Sequence, residues 1–260
     1  MQSYKLKTSE RGIASVILDR PEQHNAFDDG MIAELIELLG KLERDERVRV
    51  LVLRAMGKSF SAGADLNWMR RMADYDLAQN TDDAMQLAEL MRGLNCFPKP
   101  TIALVEGAAY GGGVGLVACC DIAIASPTAS FCLSEVKLGL IPAVISPYVI
   151  EAIGTRAARR FMLSAERFDA EYACRLGLVH EVVAARELDA RLDSVIESLL
   201  AAGPAAQTAT KDLIRAVSNK PIDDELMRNC AQRIAQIRSS IEGREGLSAF
   251  LEKRKPNWPR

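Results

Sequence analysis

The chain has 260 residues, 48% of them hydrophobic and 26% charged, with a formal net charge of −2. That supplies a sizeable core, in one large domain or in a core with a smaller appendage, and it gives no basic field that would draw nucleic acid or an anionic membrane. The start, MQSYKLKTSERG, has no apolar stretch of the secretory kind, and the longest uncharged run, Gly107 to Cys120, is too short and too glycine-rich to span a bilayer.

Residues 4–8 and 13–19 read as a hairpin turning at Glu10–Gly12, and Pro21 ends its second strand. After a polar loop, Asn25 is the expected N-cap of a helix reaching Arg44, with Met31, Leu35, Leu38, Leu39 and Leu42 on one face. Val48 to Leu53 is a strand, followed by the loop AMGKSFSAGADL. Residues 65–95 read as mainly helical, and Pro98 and Pro100 interrupt before the strand TIALVE at 101–106. Short strands follow at 121–126 and 130–133, then a loop over 134–148. Helical pieces are expected near 147–153, 155–163 and 169–175, and a strand near Val179–Val183. From Arg186 onward the pattern is helical, with breaks at Gly203-Pro204, Pro221 and Gly243. Alternating strands and helices argue an α/β core over 1–185, with a helical region over 186–260 whose exposed apolar side favours self-association.

The most informative stretch is 101–121, a buried strand that runs through Gly111, Gly112 and Gly113 into an apolar helix over Val114–Cys120. A glycine-rich helix start directs unpaired N–H groups and the positive end of the helix dipole at one point, where negative charge is stabilised. GVGLVA at 113–118 formally matches a dinucleotide fingerprint, but too many residues separate it from the strand for that turn. An oxyanion is the better candidate. The six cysteines form no C-x-x-C pair and read as reduced side chains of a cytoplasmic protein; His24 and His180 are too few and too far apart to predict a metal site or a histidine triad.

A second glycine stretch, FSAGADL at 60–66, also follows a strand and precedes a helix. With GAAYGGGVGL at 107–116, RPEQHNA at 20–26, CDIAIAS at 120–126, SEVKLGLIP at 134–142 and SAFLEKRKPNW at 248–258, the chain resembles the enoyl-CoA hydratase/isomerase (crotonase) superfamily over essentially its whole length. The resemblance implies a spiral of ββα units with a C-terminal helical region that makes a homotrimer, or a hexamer of two trimers. It implies that the backbone N–H groups of Ala64 and Gly112 hold the thioester carbonyl of an acyl-CoA, and that Glu135 moves protons. Ala62, Gly63, Asp65 and Leu66 would line the coenzyme A arm, and Phe250 and Lys253 would meet its nucleotide end. Coenzyme A then belongs to the substrate, and no separate cofactor or metal is implied.

Two positions depart from the pattern. Hydratases of this family carry a second glutamate two residues after the glycine run; here that position is Gly115. The glycine-rich turn expected after Pro142 is replaced by Ala143, Val144, Ile145, Ser146 and Pro147, which implies an altered acyl pocket in which Ser146 or Tyr148 supplies a polar contact. Asn67, Trp68 and Met69 either shape the substrate side or only pack. The motifs look most like methylglutaconyl-CoA and isohexenylglutaconyl-CoA hydratases. Those substrates carry a carboxylate of their own, which a second enzyme carboxylate would repel. Two other activities stay open: an enoyl-CoA Δ-isomerase, for which one carboxylate suffices, and a non-catalytic acyl-CoA-binding protein.

Overall fold

The computed structural model describes residues 2–258. The hairpin forms as expected, from β1 (Tyr4–Thr8) and β2 (Ile13–Leu18), antiparallel with Tyr4 opposite Leu18. The first helix, α1 (Asp29–Arg44), follows. From there the chain repeats one manoeuvre: a strand in a first sheet, a few residues, a strand in a second sheet, then helix. The first turn is β3 (Val50–Ala55) and β4 (Ser59–Ser61), with α2 (Leu66–Met72) and α3 (Leu77–Asn95). The second is β5 (Thr101–Val105) and β6 (Ala108–Tyr110), with α4 (Gly112–Cys119). The third is β7 (Ile122–Ala125) and β8 (Ser130–Cys132), with α5 (Ser146–Ser164). β9 (Phe168–Asp169), α6 (Ala170–Leu176) and β10 (Glu181–Val182) close the spiral. The sheets read β1-β2-β3-β5-β7-β10 and β4-β6-β8-β9, so the expected ββα spiral is present.

At β3 and β5 both faces of the first sheet are covered, which is why those strands read as buried aliphatic runs. Along β3 the side chains alternate: Leu51 and Leu53 join the core under α1, α3 and α4, while Val50 and Val52 face Leu188, Leu192, Val195 and Ile196 of α7 (Leu188–Leu200). β5 does the same with Ala103 and Val105 on one side, Ile102 and Leu104 on the other. Each such Val, Leu or Ile side chain contributes roughly 1.5–3 kcal/mol on burial. The remaining helices are α8 (Pro204–Val217), α9 (Asp224–Ser239) and α10 (Ile241–Leu251). In contrast to α7, α8 and α9 have no fully buried residue, and Ile214, Met227, Ile234, Leu247 and Phe250 stay exposed. Among the described residues no helix is long and apolar enough to cross a membrane.

Several local expectations need correction. Asn25 does not cap α1. Asp28 does, its Oδ1 accepting the Met31 N–H at 2.8 Å. Asn25 is buried in a left-handed conformation (φ 53°) and welds three segments together. Its Oδ1 accepts from the Arg20 N–H, and its Nδ2 donates to the Met56 and Ser59 carbonyls, each at 2.8 Å. The helical stretch 65–95 is two helices, because Asp76 and Gln79 form a capping box that starts α3 anew. The expected pieces 147–153 and 155–163, by contrast, are borne out: α5 is two helical segments broken at Gly154, whose φ of 74° and ψ of 157° are not helical. β4 and β6 lie inside segments that read as loop and turn: three residues of Ser, Phe, Ala and Tyr are too short to show a strand period.

Replacing Asn25 by Ala strands three backbone groups and keeps the left-handed backbone without the side chain that holds it. A cost of about 3 kcal/mol is expected, which lowers the thermal midpoint by about 6–12 °C in a differential scanning measurement.

Candidate active site

Three of the strands in the second sheet run parallel: β4 beside β6, and β6 beside β8. Their carboxyl ends therefore open on the same side. Ala62–Asp65 leaves β4, Gly111–Gly112 leaves β6, and Leu133–Glu135 leaves β8. Ligands of open α/β sheets collect at such strand ends.

Ala64 is fixed by a parallel bridge to Phe27. The Phe27 N–H donates to the Gly63 carbonyl and the Asp65 N–H donates to the Phe27 carbonyl, both at 2.7 Å. In that pattern the N–H of Ala64 itself points away from Phe27. Among the described residues it donates to no protein atom. The same is true of the Gly112 N–H, at the first turn of α4, where helical geometry offers no partner. Gly111 sits at φ 50° and ψ −119°, a conformation open to glycine alone. A Cβ there would lie 3.2 Å from Glu135 Oε1 and 3.8 Å from the Gly63 Cα. The two glycine turns and the carboxylate thus meet at one point. Phe27 closes the back: a Cβ on Gly112 would press its ring at 3.1 Å. Phe27 escaped sequence reasoning because it reads as one apolar residue ending a polar loop.

Glu135 opens a short 3-10 turn over Glu135–Leu138, closed by the Leu140 N–H donating to the Glu135 carbonyl at 3.1 Å. Its Oε2 is buried with no hydrogen-bond partner among the described residues. Burial pushes its carboxyl above the ordinary carboxylate range. The neighbouring Lys137 is drawn aside, its Nζ donating to the Ala165 carbonyl at 2.7 Å. Gly115 is buried one turn further along α4, beneath Ile145 and Met91.

The other predicted positions divide. Ala62, Gly63, Asp65 and Leu66 lie on the one loop. The Ala62 N–H donates to the His24 carbonyl at 3.0 Å, and Leu66 is 69% exposed. Asp65 is engaged as the N-cap of α2, accepting from Asn67 and Trp68. Trp68 packs in the core and donates to Asp83 Oδ1 at 3.0 Å; Asn67 accepts from Arg70. The Ser146 hydroxyl is spent within its own turn on the Ala143 carbonyl, and the charged and thiol groups around Tyr148 are Cys119, Cys96 and Arg92, on the far turn of α4 and on α3. Phe250, 81% exposed, and Lys253 lie at the end of α10, which packs on α8 and α9. Among the described residues no cluster of His, Cys, Asp and Glu is arranged to hold a metal ion.

A family model described as enoyl-CoA hydratase/isomerase matches residues 8–260. The crystal structure of an enoyl-CoA hydratase from Shewanella pealeana superposes with a TM-score of 0.96 at 52% identity, covering 99% of this chain and 96% of that one. AtuE of Pseudomonas aeruginosa superposes with a TM-score of 0.94 at 38% identity over 100% of both chains. The 1,2-epoxyphenylacetyl-CoA isomerase of Escherichia coli K12 is 33% identical over 265 residues, 99% of each chain.

A carboxyl whose pKa is raised on folding binds its proton more tightly in the folded chain, so its ionised form at neutral pH costs stability. Glu135→Gln removes that charge at nearly constant shape. Thermal unfolding at pH 7 is expected to show a higher midpoint for the variant than for the parent, and the gain shrinks as the pH is lowered toward protonation of Glu135.

Proposed function

The chain belongs to the enoyl-CoA hydratase/isomerase family, and from that premise we propose that it adds water across the double bond of a branched 2-enoyl-CoA, with 3-methylglutaconyl-CoA and isohexenylglutaconyl-CoA as the candidate substrates. The observation that carries the reading is the meeting of Glu135 with the Gly63 and Gly111 turns, beside two N–H groups that have no partner among the described residues.

The chemistry follows from those groups. The thioester oxygen accepts from the Ala64 and Gly112 N–H groups. Ionised Glu135 takes a proton from water as the water oxygen bonds to C3. The electron pair of the double bond moves through C2 onto the thioester oxygen, giving an enolate. Glu135 then returns the proton to C2, and the carbonyl re-forms. One water supplies both added groups, the hydroxyl at C3 and the hydrogen at C2, and one carboxylate serves as base and then as acid. Each fixed donor is worth roughly 3–4 kcal/mol to the charged oxygen. Coenzyme A enters as part of the substrate, and the reaction needs no other cofactor. Its arm would run along Ala62–Leu66. Phe250 and Lys253 would reach the nucleotide end from a neighbouring copy, brought there by a homotrimer, or a hexamer of two trimers, formed through the uncovered apolar faces of α8–α10.

A second reading, an enoyl-CoA Δ-isomerase, is favoured by the single carboxylate, which suffices to move a proton between two carbons; the relative from Escherichia coli is an isomerase. The buried, unpartnered oxygen of Glu135 counts against a purely binding role, which would gain nothing from its desolvation.

A panel of crotonyl-, 3-methylglutaconyl- and isohexenylglutaconyl-CoA separates the readings. Water addition is expected to be fastest with a branched thioester, and Glu135→Gln should lower kcat by about 10²–10⁴-fold. Because the ionised form is the active one, kcat/KM should fall on acidification through a single ionisation lying above the usual carboxylate range. Solvent-hydrogen exchange and double-bond migration without hydration would establish the isomerase.

A further inference from the structure

The stretch 134–142 carries Glu135 and is held to the rest of the chain at few points. Leu133 and Pro142 are buried, but between them no side chain is fully buried, and Leu138, Leu140 and Ile141 are exposed. The backbone hydrogen bonds of the stretch close on the stretch itself. The Lys137 N–H donates to the Ser134 carbonyl, Gly139 to Val136 and Leu140 to Glu135. Among the described residues, one hydrogen bond leads from it to another part of the chain: Lys137 Nζ donates to the Ala165 carbonyl at 2.7 Å.

That carbonyl is a fixed point. Ala165 is fully buried in a left-handed conformation (φ 47°), and its N–H closes α5 on the Phe161 carbonyl at 3.0 Å. A cation just past the C-terminal end of a helix is favoured by the helix dipole. The same Ala165 carbonyl accepts from the Cys132 thiol at 3.4 Å, and the Cys132 carbonyl accepts from the Gly111 N–H at 2.9 Å. The turn that bears Glu135 and the glycine turn that it faces are therefore both referred to Ala165. Glu135 Oε1 lies 3.2 Å from where a Cβ on Gly111 would be, so a shift of either turn changes that approach. The ammonium, two residues from Glu135, is engaged by Ala165, and Glu135 Oε2 has no partner among the described residues.

We propose that Lys137 is a positioning residue for the acid–base step, its bond to the Ala165 carbonyl holding the Glu135 turn in register with the Gly111 turn. Lys137 acts through Glu135 and touches no reacting atom. The inference rests on the reading of Glu135 as the proton carrier, in hydration or in isomerisation alike; the anchoring of the turn stands apart from that reading.

The test has two arms, both built on Lys137→Met, which keeps an unbranched side chain and removes the donor. In the first, hydrogen exchange is followed by mass spectrometry. The peptide over 134–142 should exchange about tenfold faster in the variant than in the parent, with the peptide over α1 unchanged. Equal exchange in parent and variant would show that the bond holds nothing and would overturn the proposal. In the second arm, Lys137→Met is placed in the parent and in Glu135→Gln, and rates are compared on the enoyl thioester that the parent turns over best. In the parent, kcat should fall about tenfold with KM within about twofold, because the displaced group moves a proton rather than binds. Lys137→Arg, which can still donate to a carbonyl, should recover kcat to within about threefold. In Glu135→Gln, Lys137→Met should change kcat by less than about twofold, because the carboxylate through which it acts is gone. An unchanged kcat in the parent, or an equal loss in both backgrounds, would make Lys137 a merely structural residue and sink the proposal, even with the first arm fulfilled. If the parent acts on no enoyl thioester, the functional reading fails, and the exchange arm alone decides whether Lys137 anchors the turn.

Discussion

Phe27 grips the backbone on both sides of Ala64, at 2.7 Å each way, and so leaves one N–H of the chain pointing into open space. Much of the structure keeps that arrangement in place. Asn25, two residues earlier, is locked to Met56 and Ser59, so the segment that carries Phe27 cannot shift relative to β4. The ring of Phe27 also rests where a Cβ on Gly112 would be, so the same residue locates the second free N–H. A site that stabilises charge on an oxygen needs its dipoles oriented before the charge appears. In the proposed site that orientation is set by backbone pairing, so it would cost no reorganisation as the charge develops.

The second sheet supplies the rest. Because β4, β6 and β8 are parallel neighbours, three loops far apart in sequence emerge side by side. The helix that leaves the middle strand sits close on its neighbour: a Cβ on Gly113 would be 2.7 Å from the Ser61 carbonyl. The glycines of that run thus serve different needs. Gly111 adopts a backbone conformation closed to other residues, Gly112 yields to Phe27, Gly113 allows close packing, and Gly115 admits Ile145. Glu135 is held in this buried corner with one oxygen unpartnered among the described residues, an unfavourable placement for structure that suits the base and acid role proposed for it.

What could be read from the sequence follows from how local each signal is. The central strands of the first sheet, β3, β5 and β7, were legible because burial on both faces writes an aliphatic run. Ala64, Gly112 and Glu135 were legible through glycine-rich turns and family motifs. β4 and β6 were not, because three residues paired on both sides carry no periodicity. Asn25 was misplaced as a cap because its left-handed backbone and its partners at Met56 and Ser59 are tertiary facts. Gly115 and Ile145 each stood out as departures, but thirty residues of chain separate them, and only their contact shows that the two are one change.

The proposed reaction requires charge stabilisation at a thioester oxygen by Ala64 and Gly112, with Glu135 as the proton acceptor. A 3-oxoacyl-CoA reports this directly, since its enolate absorbs in the near ultraviolet where the keto form does not. On titration into the protein at a pH where the free thioester is un-ionised, the enolate band should grow with occupancy, and Glu135→Gln should suppress it while binding persists. Tight binding with no enolate band in the parent protein would contradict the account.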